Sequence, residues 1–135
     1  MLITKNIQFS KVIFTLSLVL LFSASICSVN AQTESPIGRW DLMVDLGDKV
    51  VPSWLEVKLS GINTLVGYFV ADGGSARPIS KVNFVDGKVS FSIPAQWENS
   101  DKDMVFEAVL KGDKLTGTIV SSMGKKQTLV GERAP

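Results

Sequence analysis

The stretch GRWDLMVDL, residues 38–46, decides the fold because its apolar and polar side chains alternate. Its charged residues fall on the same face as Met43. The apolar residues fall on the opposite face, and they are Trp40, Leu42, Val44 and Leu46. A period of two residues is typical of a β-strand with one face buried and the other in water. The stretch therefore predicts a half-buried first strand.

The same alternation continues to the end of the chain, interrupted by glycine-containing turns at intervals of eight to twelve residues. It predicts strands at 38–46, 50–59, 64–72, 79–85, 88–93, 103–111, 114–122 and 126–133. The second of these predicts Val51, Ser53, Leu55, Val57 and Leu59 as inward residues. Asp86-Gly87 is typical of a two-residue type I′ hairpin turn. The longest connection, 94–102, shows no helical period.

Eight consecutive antiparallel strands predict an all-β fold, an up-and-down barrel of the lipocalin or calycin type. A β-sandwich is the alternative, but its crossover connections are longer than the turns found here. Small barrels of this type close one end with a Gly-x-Trp on the first strand and an arginine near the last. Gly38, Trp40 and Arg133 fit that arrangement, and we expect the guanidinium to lie across the indole as a cation–π pair.

Residues 1–31 have the pattern of a cleaved signal peptide. Lys5 and Lys11 precede an uncharged apolar stretch, and cleavage is expected after Ala31. Cys27 suggests lipid anchoring as a weaker alternative, because Ile26 stands where a small residue is required. The remaining domains are a flexible lead-in at 32–36 and the barrel at 37–135. We expect an exported protein, periplasmic or extracellular, without a membrane span after cleavage.

The composition removes several chemistries from consideration. The chain has no histidine, and its one cysteine lies in the export segment, so the mature barrel lacks the usual nucleophile–base pairs and zinc ligands. No metal site or cofactor is expected. Loss of Lys5 and Lys11 changes the net charge from +1 to about −1, with charges scattered, so nucleic acid is not an expected partner. The carboxylates show no convincing catalytic pair, and we expect no enzyme.

Four residues are candidates for binding a ligand at the open end of the barrel: Ser75, Arg77, Trp97 and Glu98. Trp97 would stack on a flat ring and Arg77 would donate hydrogen bonds. The alternative for Trp97 is a purely structural role, folded over the barrel end. Trp54 falls on the outer face of the second strand and is a candidate for contact with another protein.

Several separate motifs together resemble one family. They are Gly38-Arg39-Trp40-Asp41, Pro52-Ser53-Trp54-Leu55-Glu56-Val57, Gly74-Ser75-Ala76-Arg77-Pro78-Ile79, Gln96-Trp97-Glu98 and Gly131-Glu132-Arg133-Ala134-Pro135. This order is similar to a lipocalin-like module that precedes 3-keto-disaccharide hydrolase domains, formerly a domain of unknown function, in exported bacterial proteins. The present chain ends at Pro135, where those proteins continue into the hydrolase, so no catalytic residue is carried over. The resemblance implies an accessory role near carbohydrate.

These observations together predict an exported, non-catalytic barrel that binds a small-molecule or glycan ligand and assists carbohydrate processing at the cell envelope. Two alternatives remain open at this stage. One is an interaction module that docks through Trp54 on a separate glycan-processing enzyme or envelope protein. The other is a cryptic carbohydrate-active hydrolase that uses Glu98 with a second carboxylate.

Overall fold

The structure is a computed structural model that describes residues 34–71, 74–98 and 100–135. The predicted signal peptide, with Cys27, lies outside the described residues. The elements in chain order are β1 (Gly38–Asp45), β2 (Val50–Ser60), β3 (Thr64–Val70), β4 (Ala76–Val85), β5 (Lys88–Ile93), α1 (Ala95–Glu98), β6 (Met104–Lys111), β7 (Lys114–Val120) and β8 (Lys126–Arg133).

The strands form a closed antiparallel barrel in which each strand pairs with its neighbour in sequence. β8 returns to pair with β1 from Trp40↔Arg133 to Asp45↔Thr128, which completes the ring. The prediction of an eight-stranded up-and-down barrel is confirmed, and the β-sandwich alternative is wrong. Because β1 and β8 pair with each other, neither is left as a full edge strand, which in an open sheet would be available for pairing with other chains.

The core is formed by the inward residues of all eight strands, as the alternating pattern predicts. Phe69, Phe91 and Phe106 cross its centre, with the last two stacked at a centroid distance of 4.5 Å and an interplanar angle of 12°. Leu59 is a correction to the predicted inward face of β2, because its side chain is 51% exposed. The β2–β3 hairpin continues past the packed core there, and Leu59 pairs only with the partly buried Leu65.

The β4–β5 connection is the predicted tight turn. Asp86 and Gly87 have φ angles of 51° and 75°, and both are positive as a type I′ turn requires. Asp86 is the one residue other than glycine with a positive φ in the described part of the chain. Glycine at the second position adopts this conformation without a steric cost, so the dipeptide fixes the register of the hairpin.

The two ends of the barrel differ, and we call them the base and the mouth. The base carries the turns at 61–63, 86–87 and 112–113 and both ends of the described chain. The mouth carries the connections at 46–49, 71–75, 94–103 and 121–125. This division follows directly from the up-and-down topology, because successive connections alternate between the ends.

The base is closed by Trp40 and Arg133, which we call the closure contact. Trp40 is fully buried, and the guanidinium carbon of Arg133 lies 4.2 Å from its ring centroid. The two residues are direct partners in the β1–β8 ladder, and directly opposed residues project to the same side of a sheet. The expected cation–π pair is therefore present, and the strand register is what brings it together.

The guanidinium of Arg133 also joins two other parts of the base, the β6–β7 turn and the segment before β1. Its Nε donates to Asp113 Oδ1 at 2.7 Å, its Nη1 to the carbonyl of Ile37 at 2.7 Å and its Nη2 to the carbonyl of Ser35 at 2.9 Å. A Cβ added to Gly38 would come within 3.0 Å of Nη1, so glycine leaves room for the guanidinium there.

The lead-in, expected to be flexible, takes part in this closure over its described residues. The carbonyl of Pro36 accepts a hydrogen bond from Trp40 Nε1 at 2.9 Å. The Glu34 carboxylate accepts one from the backbone N–H of Gly112 at 3.0 Å. Residues 34–37 therefore provide carbonyl and carboxylate acceptors at the base for the Trp40 indole, the Arg133 guanidinium and the Gly112 backbone.

We expect Trp40→Ala to lower the free energy of unfolding by about 3–5 kcal/mol through the cavity it leaves. Arg133→Ala should cost about 1–2 kcal/mol, because a partly desolvated cation–π pair and its hydrogen bonds are lost. Arg39→Ala is the matched control, since its guanidinium lies 5.3 Å from the half-buried Trp54 ring on the outer surface. Urea unfolding measures all three, and equal costs for Arg133→Ala and Arg39→Ala would contradict this account.

Candidate functional site

A cavity of about 200 Å³ lies inside the barrel at the mouth, at the end opposite the closure contact. Phe69 and Met104 lie towards the core, and above them the interior is not filled by side chains. The lining is mainly aliphatic, with a few polar side chains. It consists of Val44, Leu46, Val51, Phe69, Ala71, Glu98, Met104, Ile119, Ser121, Ser122 and Gln127. The barrel is thus packed at its centre and base and open at its mouth.

Glu98 is the charged residue of the cavity lining. Its Oε1 accepts a hydrogen bond from Arg77 Nε on β4 at 2.9 Å, with side-chain exposures of 20% and 26%. The ion pair is partly shielded from water, so its attraction is screened less than that of a fully exposed pair. Of the four candidate binding residues, the structure brings Arg77 and Glu98 together.

Glu98 reaches the mouth because the chain forms one helical turn after β5. Pro94 ends the strand, and its carbonyl accepts the backbone N–H of Trp97 at 3.0 Å. Asp103 Oδ1 accepts the backbone N–H of Ala95 at 3.0 Å, which satisfies a donor at the start of the turn. The short helix α1 differs from the irregular connection that the sequence predicts. The sequence does not reveal it because four residues are too few to show a helical period.

The other connections at the mouth are tied to one another. Lys125 Nζ donates to the carbonyl of Leu46 at 2.7 Å, which joins the β7–β8 turn to the β1–β2 turn. Ser100 Oγ donates to the carbonyl of Ser122 at 3.0 Å, which joins the segment after α1 to the same β7–β8 turn. These contacts set the width of the opening above the cavity.

Trp97 is on the other side of α1 from the cavity. Its side chain is 46% exposed and lines a separate groove of about 340 Å³ on the outside of the barrel, which we call the outer groove. The residues of the outer groove are Lys58, Val66, Gly67, Tyr68, Pro78, Ile79, Ser80, Pro94, Gln96 and Trp97. Although it was expected at the mouth, Trp97 is not among the described residues that line the mouth cavity, because adjacent residues on a single helical turn point in different directions.

The outer groove lies where the β4–β5 ladder is incomplete. These strands pair only from Asn83↔Ser90 to Val85↔Lys88, at the base end. Towards the mouth, β4 continues to pair with β3 and β5 with β6, but not with each other. The ion pair between Arg77 and Glu98 joins β4 to α1 across this gap. Helix α1 thus separates the mouth cavity from the outer groove.

The remaining candidates lie away from the cavity. Ser75 is exposed in the β3–β4 connection and is not among the described residues that line the cavity. Trp54 is half-buried on the outer face of β2, with Arg39 across its ring. Its outward direction agrees with the alternation of the sequence.

Sequence reasoning missed Ser121, Ser122 and Gln127 as lining residues. A signal for Gln127 was present, because it falls two residues before the buried Leu129 and so on the inward face of β8. A polar residue at an inward position is unusual in a packed core and is a sign of a cavity. The same argument applies to Ser121, two residues beyond the buried Ile119.

Comparisons with known proteins add no family to these observations: no protein-family model matches the chain, and no curated protein matches it either. Within residues 34–71, 74–98 and 100–135, no three His, Cys, Asp or Glu side chains are grouped as metal ligands. Over the same residues, no helix has the length and apolar character needed to cross a bilayer. The function is therefore inferred from the geometry of the mouth.

A double-mutant cycle with Arg77→Ala and Glu98→Gln should give a coupling free energy of about 0.5–1 kcal/mol, near the upper range for surface ion pairs, because both groups are partly buried. Lys88 and Glu107 form the control pair at 3.3 Å, and each side chain is 51% exposed. We expect a smaller coupling there in urea unfolding. A coupling for the first pair no larger than for the control would show that the ion pair does not hold α1 against β4.

Proposed function

We propose that this protein is a non-catalytic binding barrel that holds one small molecule, the size of a single sugar ring, in the mouth cavity. The observation that carries the proposal is the unfilled space of about 200 Å³ at one end of a barrel whose other end is closed. An eight-stranded barrel has an interior that is either filled by side chains or holds one small ligand. In this barrel, side chains fill the centre and the base, whereas the mouth is not filled.

The volume limits the size of the ligand. A cavity of about 150 Å³ holds one benzene molecule. The mouth cavity is larger by about the volume of one or two water molecules, each of which occupies about 30 Å³. A single six-membered ring with a few polar substituents matches this space, whereas a long acyl chain or a steroid does not.

The lining favours a ring with an apolar face and hydroxyl groups. Aliphatic side chains such as Val44 and Ile119 would contact the C–H face of the ring. Ser121 and Gln127 offer hydroxyl and amide groups, and Glu98 offers a carboxylate that accepts hydrogen bonds from hydroxyl groups. The contact with Arg77 fixes the orientation of that carboxylate before a ligand arrives, which reduces the entropy lost on binding.

Binding without catalysis is supported by the groups available at the mouth. The chain has no histidine to serve as a general base. Glycoside hydrolysis ordinarily uses two carboxyl groups across the scissile bond, and Glu98 is the one carboxylate among the described residues that line the cavity.

We also infer export to the periplasm or the extracellular space and service to a separate glycan-processing enzyme. The support is the signal-peptide pattern of residues 1–31 and the resemblance of the motifs to a module that accompanies 3-keto-disaccharide hydrolases. Intact mass measurement of the secreted protein tests export. Cleavage should leave Gln32 as the first residue, and an uncleaved chain would contradict it.

The binding proposal is tested by titration with D-glucose, D-galactose and N-acetylglucosamine, followed by amide NMR shifts and thermal unfolding. At least one of them should shift the signals of β7 and β8 near the mouth and raise the melting temperature. Glu98→Gln should weaken that binding about tenfold, since hydrogen bonds to a charged acceptor are the stronger kind.

Ser122→Leu places a larger side chain in the cavity and should abolish binding while the protein stays folded. Ser92→Leu is the matched control, because Ser92 is exposed on β5 and does not line the cavity. If none of the three sugars binds, or if Ser122→Leu binds as well as Ser92→Leu does, the proposed site is wrong.

A further inference from the structure

The outer groove is a second concave surface that the mouth cavity does not explain. It lies outside the barrel wall, against β2, β3, β4 and α1, and its volume is about 340 Å³. The two lists of lining residues have no member in common. A ligand in the outer groove would thus contact different side chains from a ligand in the mouth.

The tryptophan and tyrosine side chains outside the core all lie on this face of the barrel. The chain has three tryptophans and one tyrosine, and Trp40 is in the core. The other three are on the β2–β3–β4–α1 face. Tyr68 and Trp97 share the outer groove, and they are 38% and 46% exposed. Trp54 faces Val70 in the β2–β3 ladder and is therefore a diagonal neighbour of Tyr68.

The lining of the groove includes a proline and a glycine on either side of Tyr68. Pro78 lies directly opposite Tyr68 in the β3–β4 ladder. Gly67 is buried, and a Cβ added there would overlap the backbone of Glu56 on β2, so only glycine allows the two strands to approach this closely. The groove is therefore lined by the rings of Tyr68, Pro78 and Trp97, and such rings pack well against a partner with a flat apolar face.

The charge of the outer groove is opposite to that of the mouth. Lys58 is the one charged residue among those that line the groove, and its Nζ lies 5.0 Å from the Tyr68 ring centroid. Arg39 lies 5.3 Å from Trp54 on the same face. A groove with a cation beside aromatic rings attracts a ligand that carries a negative charge next to an apolar surface.

Ser80 and Gln96 complete the groove with a hydroxyl and an amide, which both donate and accept hydrogen bonds. A ligand that satisfies all of these groups has a flat C–H face for Trp97, hydroxyl groups for Ser80 and Gln96, and a carboxylate for Lys58. We infer that the outer groove binds a uronic acid unit of an acidic polysaccharide.

A proline-rich peptide is the other occupant that aromatic grooves commonly take. Its uncharged rings offer no anionic group to pair with Lys58. Strand addition to β4 is also disfavoured, because Pro78 has no N–H group to donate to an added strand. An acidic sugar would contact more of the charged and hydrogen-bonding groups of the groove than a proline-rich peptide would.

The test is isothermal titration calorimetry of the barrel with trigalacturonate. Its fully methyl-esterified form has the same sugar backbone without the charge and is the matched ligand control. We expect trigalacturonate to bind and the ester to bind more weakly. Trp97→Ala should weaken binding of trigalacturonate about tenfold through loss of stacking. Lys58→Gln should weaken it about fivefold and leave binding of the ester unchanged.

Two variants control for general effects of substitution. Met43→Ala removes a side chain from the outer face of β1, and the exposure of Met43, 45%, is similar to that of Trp97. Lys126→Gln removes an exposed positive charge elsewhere on the barrel. Both should bind trigalacturonate as the unaltered protein does. Ser122→Leu alters the mouth cavity and should also leave binding of trigalacturonate unchanged. This result would show that trigalacturonate binds outside the mouth cavity, whether or not the smaller sugars bind there.

The inference is overturned if trigalacturonate does not bind, if the ester binds equally well, or if Met43→Ala and Trp97→Ala weaken binding to the same degree. A decaproline peptide is titrated in parallel. Binding of decaproline that is lost in Trp97→Ala, without binding of trigalacturonate, would identify a peptide groove and likewise overturn the inference.

Discussion

The contact between the Arg133 guanidinium and the Trp40 indole is the interaction on which the rest of the structure depends. It forms at the register that pairs β1 with β8, so the closing of the ring brings the two side chains together. The same guanidinium holds the chain before β1 and the β6–β7 turn by hydrogen bonds to Ser35 and Asp113. With one end closed in this way, a space left inside the barrel has its opening at the other end.

The interior changes from packed to open along the barrel axis. Aromatic side chains fill its centre, and mainly aliphatic side chains with a few polar ones line the mouth. Helix α1 adds a second division, because Glu98 faces the cavity and Trp97 faces the outer groove. The charged residue that lines the mouth cavity is the anion Glu98, and the charged residue that lines the outer groove is the cation Lys58. The two proposed sites therefore differ in the sign of the charge that they present to a ligand.

Much of the fold could be predicted because the alternation of side chains and the turn residues act locally. The β5 and β8 boundaries and the Asp86-Gly87 turn agree with the structure for this reason. Leu59 differs because burial depends on where the core ends, which alternation does not encode. Of the candidate site residues, Glu98 lines the cavity and contacts Arg77. The direction of Trp97 depends on the single turn of helix α1, which is capped by Asp103 from outside the turn.

Solvent exchange of the three tryptophan indole N–H groups, measured by NMR in one sample, tests the closure of the base most directly. Trp40 donates its indole N–H to the Pro36 carbonyl and is fully buried, whereas Trp97 is 46% exposed. The account predicts that one indole exchanges far more slowly than the others and that Trp40→Phe removes its signal. Exchange of the Trp40 indole as fast as that of Trp97 would contradict the closed base.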